Sequence, residues 1–315
     1  MKLVVSNQQV IVHIDPVIAS TNLGDEIISS AVSTQMRSLF DGCRIINIGS
    51  RDIGKWSRRI MDDADYVFFG GSNALSANPI FGYRQFAMGF IPPLYLRNLI
   101  LMGVGWWQYQ NSLGPLASAF YKKIFRHDIV HSVRDEYTLQ KLRDLGFKNV
   151  VNTGCPTMWG LKEFEATVSD EVVITLTDYN RDFQRDTEIL NNALNKFDRV
   201  YFWPQGTNDR QYLNALGASI NIERISVLSP LLSTLDETLA AGAAYVGTRL
   251  HAGVRALQHN RPSYIIPIDN RAIEIAKTES LPLISPQLKS IEPGVMFSFT
   301  PTEKLTINQF LEQFR

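Results

Sequence analysis

The sequence predicts an α/β protein of two doubly wound, Rossmann-like domains facing a cleft. Two observations carry this prediction. Short apolar runs alternate with amphipathic stretches from end to end, and the alternation pauses once near the middle of the 315 residues before resuming. Strands apolar along their whole length, separated by helices, indicate parallel sheets covered on both faces.

The elements follow in order. "VIVHI" is a strand, and residues 25–40 have helical periodicity. "CRIINIG" is a strand, residues 54–64 a helix, and "DYVFFGG" a buried strand ending in two glycines. The apolar region Phe86 to Trp107 contains Pro92, Pro93 and Arg97, so a broken helix followed by the strand "NLILMGVGWW" is expected rather than a membrane span. "DIVHSVRD" ends a strand in charge, and the helix "EYTLQKLRDLG" stops at Gly146. "NTGCPTMWGLKEFEATVSDE" has no strong period and reads as a connection, which sets an N-terminal domain at 1–155 and a C-terminal domain at 165–315. Then come "VVITLT", a helix over 182–197, "RVYFWPQ", a helix over 209–217, and "LSPLLSTLDETLAAG" as helix. "AYVG", a helix after Thr248, and "SYIIPI" complete the series. The terminal helix in "TEKLTINQFLEQF" is a candidate to pack back on the first domain.

Composition narrows the function. Lys+Arg and Asp+Glu each total 31, so the chain lacks the basic balance of a nucleic-acid binder, and anion binding must rest on local arginines. Cys43 and Cys155 match no metal spacing and read as reduced thiols. The start lacks the continuous apolar core of a signal peptide. A cytoplasmic protein without a transmembrane segment is expected, with peripheral membrane association left open. The oligomeric state is not legible.

In doubly wound sheets ligands bind outside the carboxyl ends of strands. "TNLGDEIIS" brings Gly24, Asp25 and Glu26 to a helix start, where acidic residues cap free N–H groups or supply a base. Gly70 and Gly71 end a strand, and Ser72 and Asn73 after them offer hydrogen bonds; a tight turn accounts for them equally well. Arg134, between a strand and a helix, suits an anion or an ion pair with Asp135 or Glu136. Gln205 and Gly206 stand at another strand end, with Asp209 a cap.

The strongest stretch is "VGTRLHAG". Arg249, Leu250 and His251 open a helix whose unpaired N–H groups and dipole favour an anion, and guanidinium and imidazole add a fixed charge and a proton donor. A buried histidine bonded to a carbonyl is the plainer account of His251. Arg271 repeats the arrangement after the next strand.

Taken together, "NLGDEII", "FFGGSNAL", "SVRDEYTLQKLRDLG", "NTGCPTM", "VGTRLHAGVRALQHNRPSYIIPID" and Arg271 resemble the polysaccharide pyruvyl transferase family, in its order and over roughly residues 21–280. The resemblance implies a GT-B-like fold and transfer of a pyruvyl group from phosphoenolpyruvate to two hydroxyls of a sugar, as a cyclic ketal. Phosphoenolpyruvate is then a donor substrate, with no cofactor and no metal. The acceptor is a sugar or a lipid-linked oligosaccharide. Arg249, Leu250 and His251 would lie at the donor site, with Arg134 and Arg271 further holders of its anions. His251 would act as acid and Asp25 as base, and Gly70, Gly71, Ser72, Asn73 and Gln205 would bind substrate. Two positions depart from the family, which often has a third glycine at Ser72 and a lysine at Arg271. Two other readings stand beside this one: a GT-B glycosyltransferase using a nucleotide sugar, and a non-catalytic sugar- or anion-binding relative.

Overall fold

The computed structural model describes residues 9–79, 96–114, 116–288 and 291–315. Residues 1–8, and residues 80–95 with Pro92 and Pro93 of the expected broken helix, lie outside them. The chain is mixed α/β with parallel sheets and divides into two compact units. Unit 1 comprises Met1–Ser20, Ile28–Pro156 and Lys304–Arg315; unit 2 comprises Thr21–Ile27 and Thr157–Glu303.

In unit 1, β1 (Val10–Asp15) is followed by α1 (Leu23–Leu39), whose start through Ile27 belongs to unit 2, and then by β2 (Arg44–Gly49), α2 (Lys55–Asp62), β3 (Tyr66–Gly70) and β4 (Leu99–Met102). These strands form a parallel sheet in the order β2-β1-β3-β4. After α3 (Ala117–Ile124), β5 (His131–Val133), α4 (Glu136–Asp144) and β6 (Val150–Asn152) complete the alternation. A bridge between Val104 and Val133 joins β5 to the chain just past β4. One sheet face carries Val12, Ile14, Val67, Phe69, Leu99 and Leu101, all at most 2% exposed. Each such burial contributes about 1.5–3 kcal/mol against chain entropy. The other face meets α1, where Val32 packs on Gly70. Trp106, after β4, is wholly buried, and its indole donates to Gln110 at 2.7 Å.

In unit 2, β7 (Phe164–Thr167), β8 (Glu171–Thr175), α5 (Phe183–Lys196), β9 (Arg199–Phe202), α6 (Asp209–Leu216), β10 (Ile225–Val227), α7 (Leu232–Ala240), β11 (Ala244–Gly247), α8 (Leu250–Gln258), β12 (Ser263–Ile265) and α9 (Asn270–Ala276) follow one another. The parallel sheet runs β10-β9-β8-β11-β12, so strand order reverses between β8 and β11. β7 pairs antiparallel with β13 (Met296–Phe299). The sequence reading passed β7 over as connection, because four residues of half-buried alternation give little period to detect.

The terminal α10 (Leu305–Glu312) belongs to unit 1. Gln313 accepts from Val130 N–H at 2.9 Å and donates to Val130 O at 3.0 Å, and Phe314 meets Phe68 edge-on at 5.1 Å. Both cysteines are free thiols. Among the described residues no helix is long and apolar enough to cross a membrane.

Candidate functional site

Arg249, Leu250 and His251 lie at the reversal point of the unit 2 sheet, and Asp25, Gln205 and Arg271 fall elsewhere in that unit. After β8 the chain passes through Leu176 and Thr177 into a 3-10 turn, Asp178–Asn180. After β11, Thr248 and Arg249 lead into α8. The two strand ends are laced together. Thr248 N–H donates to Thr175 O at 3.0 Å, Arg249 N–H to Thr175 Oγ1 at 3.3 Å, and the Thr177 and Thr248 hydroxyls are 2.9 Å apart.

Arg249 is the extended N-cap of α8 and 4% exposed. Its Nε donates to Leu176 O at 3.2 Å, and its Nη2 is shared between Asp178, at 3.2 Å, and Asp209. The guanidinium carbon stands 5.0 Å from the centre of the Tyr179 ring. Among the described residues Nη1 has no protein acceptor, so it is the donor an anion would meet. Leu250 and His251 occupy the first turn of α8, both buried.

Asp209 is fully buried and gathers several donors. Its Oδ2 accepts from the N–H of Gln205 (3.1 Å) and Gly206 (2.7 Å), and its Oδ1 from Asp178 N–H (3.2 Å). The sequence marked it as a cap, but its carboxylate fixes the loop before its helix and orients Arg249. Burial raises its carboxyl above the usual range, against the pull of Arg249.

Gln205 links this cluster to the start of α1. Its Nε2 donates to Asn22 Oδ1 at 2.9 Å, Asn22 Oδ1 also accepts from Gly24 N–H at 3.1 Å, and Leu23 N–H donates to Gln205 O at 3.0 Å. A Cβ on Gly24 would stand 2.6 Å from Gln205 Nε2, so glycine is what lets the amide lie against the helix start. A Cβ on Gly206 would meet Arg249 Nη2 at the same 2.6 Å. Asp25 lies in this first turn, 7% exposed.

Arg271 sits in α9 behind the N-cap Asp269, which accepts from its backbone N–H at 2.9 Å and from its Nε at 2.9 and 3.1 Å. Its Nη2 donates to Asp269 and to the Tyr179 hydroxyl. Burial works to lower its pKa, but Asp269 and Tyr179 outweigh it and hold the guanidinium charged. Here too Nη1 has no protein acceptor among the described residues.

The remaining expected residues belong to unit 1. Arg134, 1% exposed, donates from Nε to Asp135 at 3.1 Å and from Nη2 to Asn73. Arg134 is thus held in a buried ion pair, as Arg249 and Arg271 are held by their own carboxylates. Asp135 also N-caps α4, accepting from Thr138 N–H at 2.7 Å. Gly70 ends β3 and Gly71 follows it, and Ser72 has φ 67°, the left-handed region that explains why glycine suits this position. Asn22, Asp178 and Tyr179 were missed. Asn22 opens the motif NLGDEII without being singled out in it, and the 3-10 turn is three residues long and has no period. Among the described residues no group of three His, Cys, Asp or Glu side chains is placed to hold a metal ion.

A family model, polysaccharide pyruvyl transferase, matches residues 22–270, more than half of the chain. No curated protein matches. Among solved structures the chain is similar to the heptosyltransferase WaaC of E. coli with ADP, at 14% identity and TM-score 0.40 over 82% of this chain and 87% of that one.

Proposed function

The chain belongs to the polysaccharide pyruvyl transferase family, and on that footing we propose that it moves the pyruvyl group of phosphoenolpyruvate onto two hydroxyls of a sugar. The sugar is part of a polysaccharide or its precursor, and the product is a cyclic ketal. The observation that carries this reading is the placing of Arg249 and His251 at the reversal point of the unit 2 sheet, within the matched region.

In the proposed chemistry His251, protonated, gives its proton to the methylene carbon of the donor, which becomes a methyl group. The adjacent carbon gains cationic character, and a sugar hydroxyl attacks it while Asp25 takes the hydroxyl proton. The bond from that carbon to the phosphate oxygen breaks and inorganic phosphate leaves. Asp25 passes its proton to the departing phosphate, and the second hydroxyl attacks the same carbon, gives its proton to the now neutral His251 and closes the ring. Arg249 and Arg271 offer Nη1 donors to the anionic groups, a fixed field that needs no reorganisation when phosphate departs. Arg271 serves only as a cation, because Asp269 and Tyr179 keep it charged.

The test is incubation with phosphoenolpyruvate and a panel of methyl glycosides, following phosphate release and the methyl resonance of a ketal. Release coupled to a ketal is expected, and His251→Ala abolishes it. Stabilisation by UDP- or GDP-sugars together with no effect of phosphoenolpyruvate overturns the proposal.

A further inference from the structure

Tyr179 lies in the 3-10 turn after β8 and is 59% exposed, so packing does not account for its placement. Two arginines from separate helix starts converge on it: the Arg249 guanidinium faces its ring at 5.0 Å, and Arg271 donates to its hydroxyl. Each arginine is anchored by its own carboxylate partners and keeps Nη1 without a protein acceptor among the described residues. We infer that Tyr179 is a positioning residue that joins Arg249 and Arg271 into one site for a small ligand bearing two anionic groups.

The geometry favours arginine over lysine at position 271. A single guanidinium serves Asp269 through Nε and Nη2 and Tyr179 through Nη2, and still presents Nη1. A lysine ammonium has no fixed fork and cannot hold those directions together. Tyr179 and Arg271 therefore act as a pair, with the tyrosine ring fixing one cation and its hydroxyl the other. A phosphate at one Nη1 and a carboxylate at the other is the matching ligand chemistry. Its identification with phosphoenolpyruvate rests on the function proposed above; the two-anion site itself does not.

The test is calorimetric titration of wild type, Tyr179→Phe, Arg271→Met and the double variant. The probes are 2-phosphoglycolate, which carries phosphate and carboxylate, inorganic phosphate, and phosphoenolpyruvate. Tyr179→Phe keeps the ring and removes only an exposed hydroxyl, so the fold is retained. Affinity for 2-phosphoglycolate should fall roughly 3–10-fold, the loss expected of one hydrogen bond, while affinity for inorganic phosphate changes less than about twofold. In the Arg271→Met background the tyrosine change should have no further effect. Wild-type affinity for 2-phosphoglycolate in Tyr179→Phe, or an equal loss in both backgrounds, overturns the inference. If 2-phosphoglycolate shows this pattern and phosphoenolpyruvate does not bind, the proposed function falls and the role of Tyr179 stands. If wild type binds neither, both fall.

Discussion

The side chain of Gln205 donates to that of Asn22 at 2.9 Å across 183 positions of sequence, joining the loop after β9 to the start of α1. Gly24 makes room for the contact, and a Cβ on Gly206, beside Gln205, would run into Arg249. Three motifs that are separate in sequence thus meet in unit 2.

Gly24→Ala tests that junction. The clashing atom is the end of a flexible side chain, and alanine gains up to about 1 kcal/mol in helix propensity. Stability measured by urea denaturation should therefore stay within about 1 kcal/mol of wild type. The Gln205 amide is displaced, and ketal formation falls several-fold.

Asp209 is the electrostatic anchor of Arg249. Asp209→Ala leaves a buried guanidinium with Asp178 as its one carboxylate and strips the acceptor from three backbone N–H groups. A loss of about 3 kcal/mol is expected in denaturation, at the low end for breaking a buried pair because Asp178 remains. Asp209→Asn, which retains one acceptor oxygen, should lose less.

His131 sets part of the acid limb of stability. Its Nδ1 accepts from Leu101 N–H at 3.2 Å, which requires a lone pair there, and burial lowers its pKa from 6.5 to about 4. The folded value lies below the unfolded one, so as pH falls through this window the unfolded chain takes up the proton first. Stability should drop by about 3 kcal/mol from this group between pH 6.5 and 4. His131→Asn should flatten the pH dependence of the unfolding free energy in that interval.

Arg134→Ala removes the partner of buried Asp135 and of Asn73. A loss of about 3 kcal/mol or more in unfolding free energy is expected. Phosphoenolpyruvate affinity of the protein that remains folded should be unchanged.

The parallel α/β alternation was legible because long apolar strands and amphipathic helices carry strong periods. β1, β3, β8 and β11 all lie where apolar runs were read as strands. β6, β7, β10 and β13 were not foreseen, because they are short and, unlike β11, only partly buried, so they show no continuous apolar run. At the site, Arg249, His251 and Arg271 were marked by position alone, as cations and an imidazole at helix starts. Their partners were not legible. Asp178 and Tyr179 fall in a turn without period, and the contact of Asn22 with Gln205 spans 183 positions of sequence. Arg134 shows the limit of such reading, since sequence offers the same arginine to a ligand or to Asp135, and a pairing with Asp135 is the same kind of contact that holds Arg249 and Arg271.

The most direct measurement is a crystal structure of the protein soaked with phosphoenolpyruvate. Density for the donor is expected at the ends of β8 and β11, its phosphate and carboxylate within hydrogen-bond distance of Nη1 of Arg249 and of Arg271, and its methylene carbon facing His251. Donor density in unit 1, with Arg249 and Arg271 still held only by their aspartates and Tyr179, would contradict it.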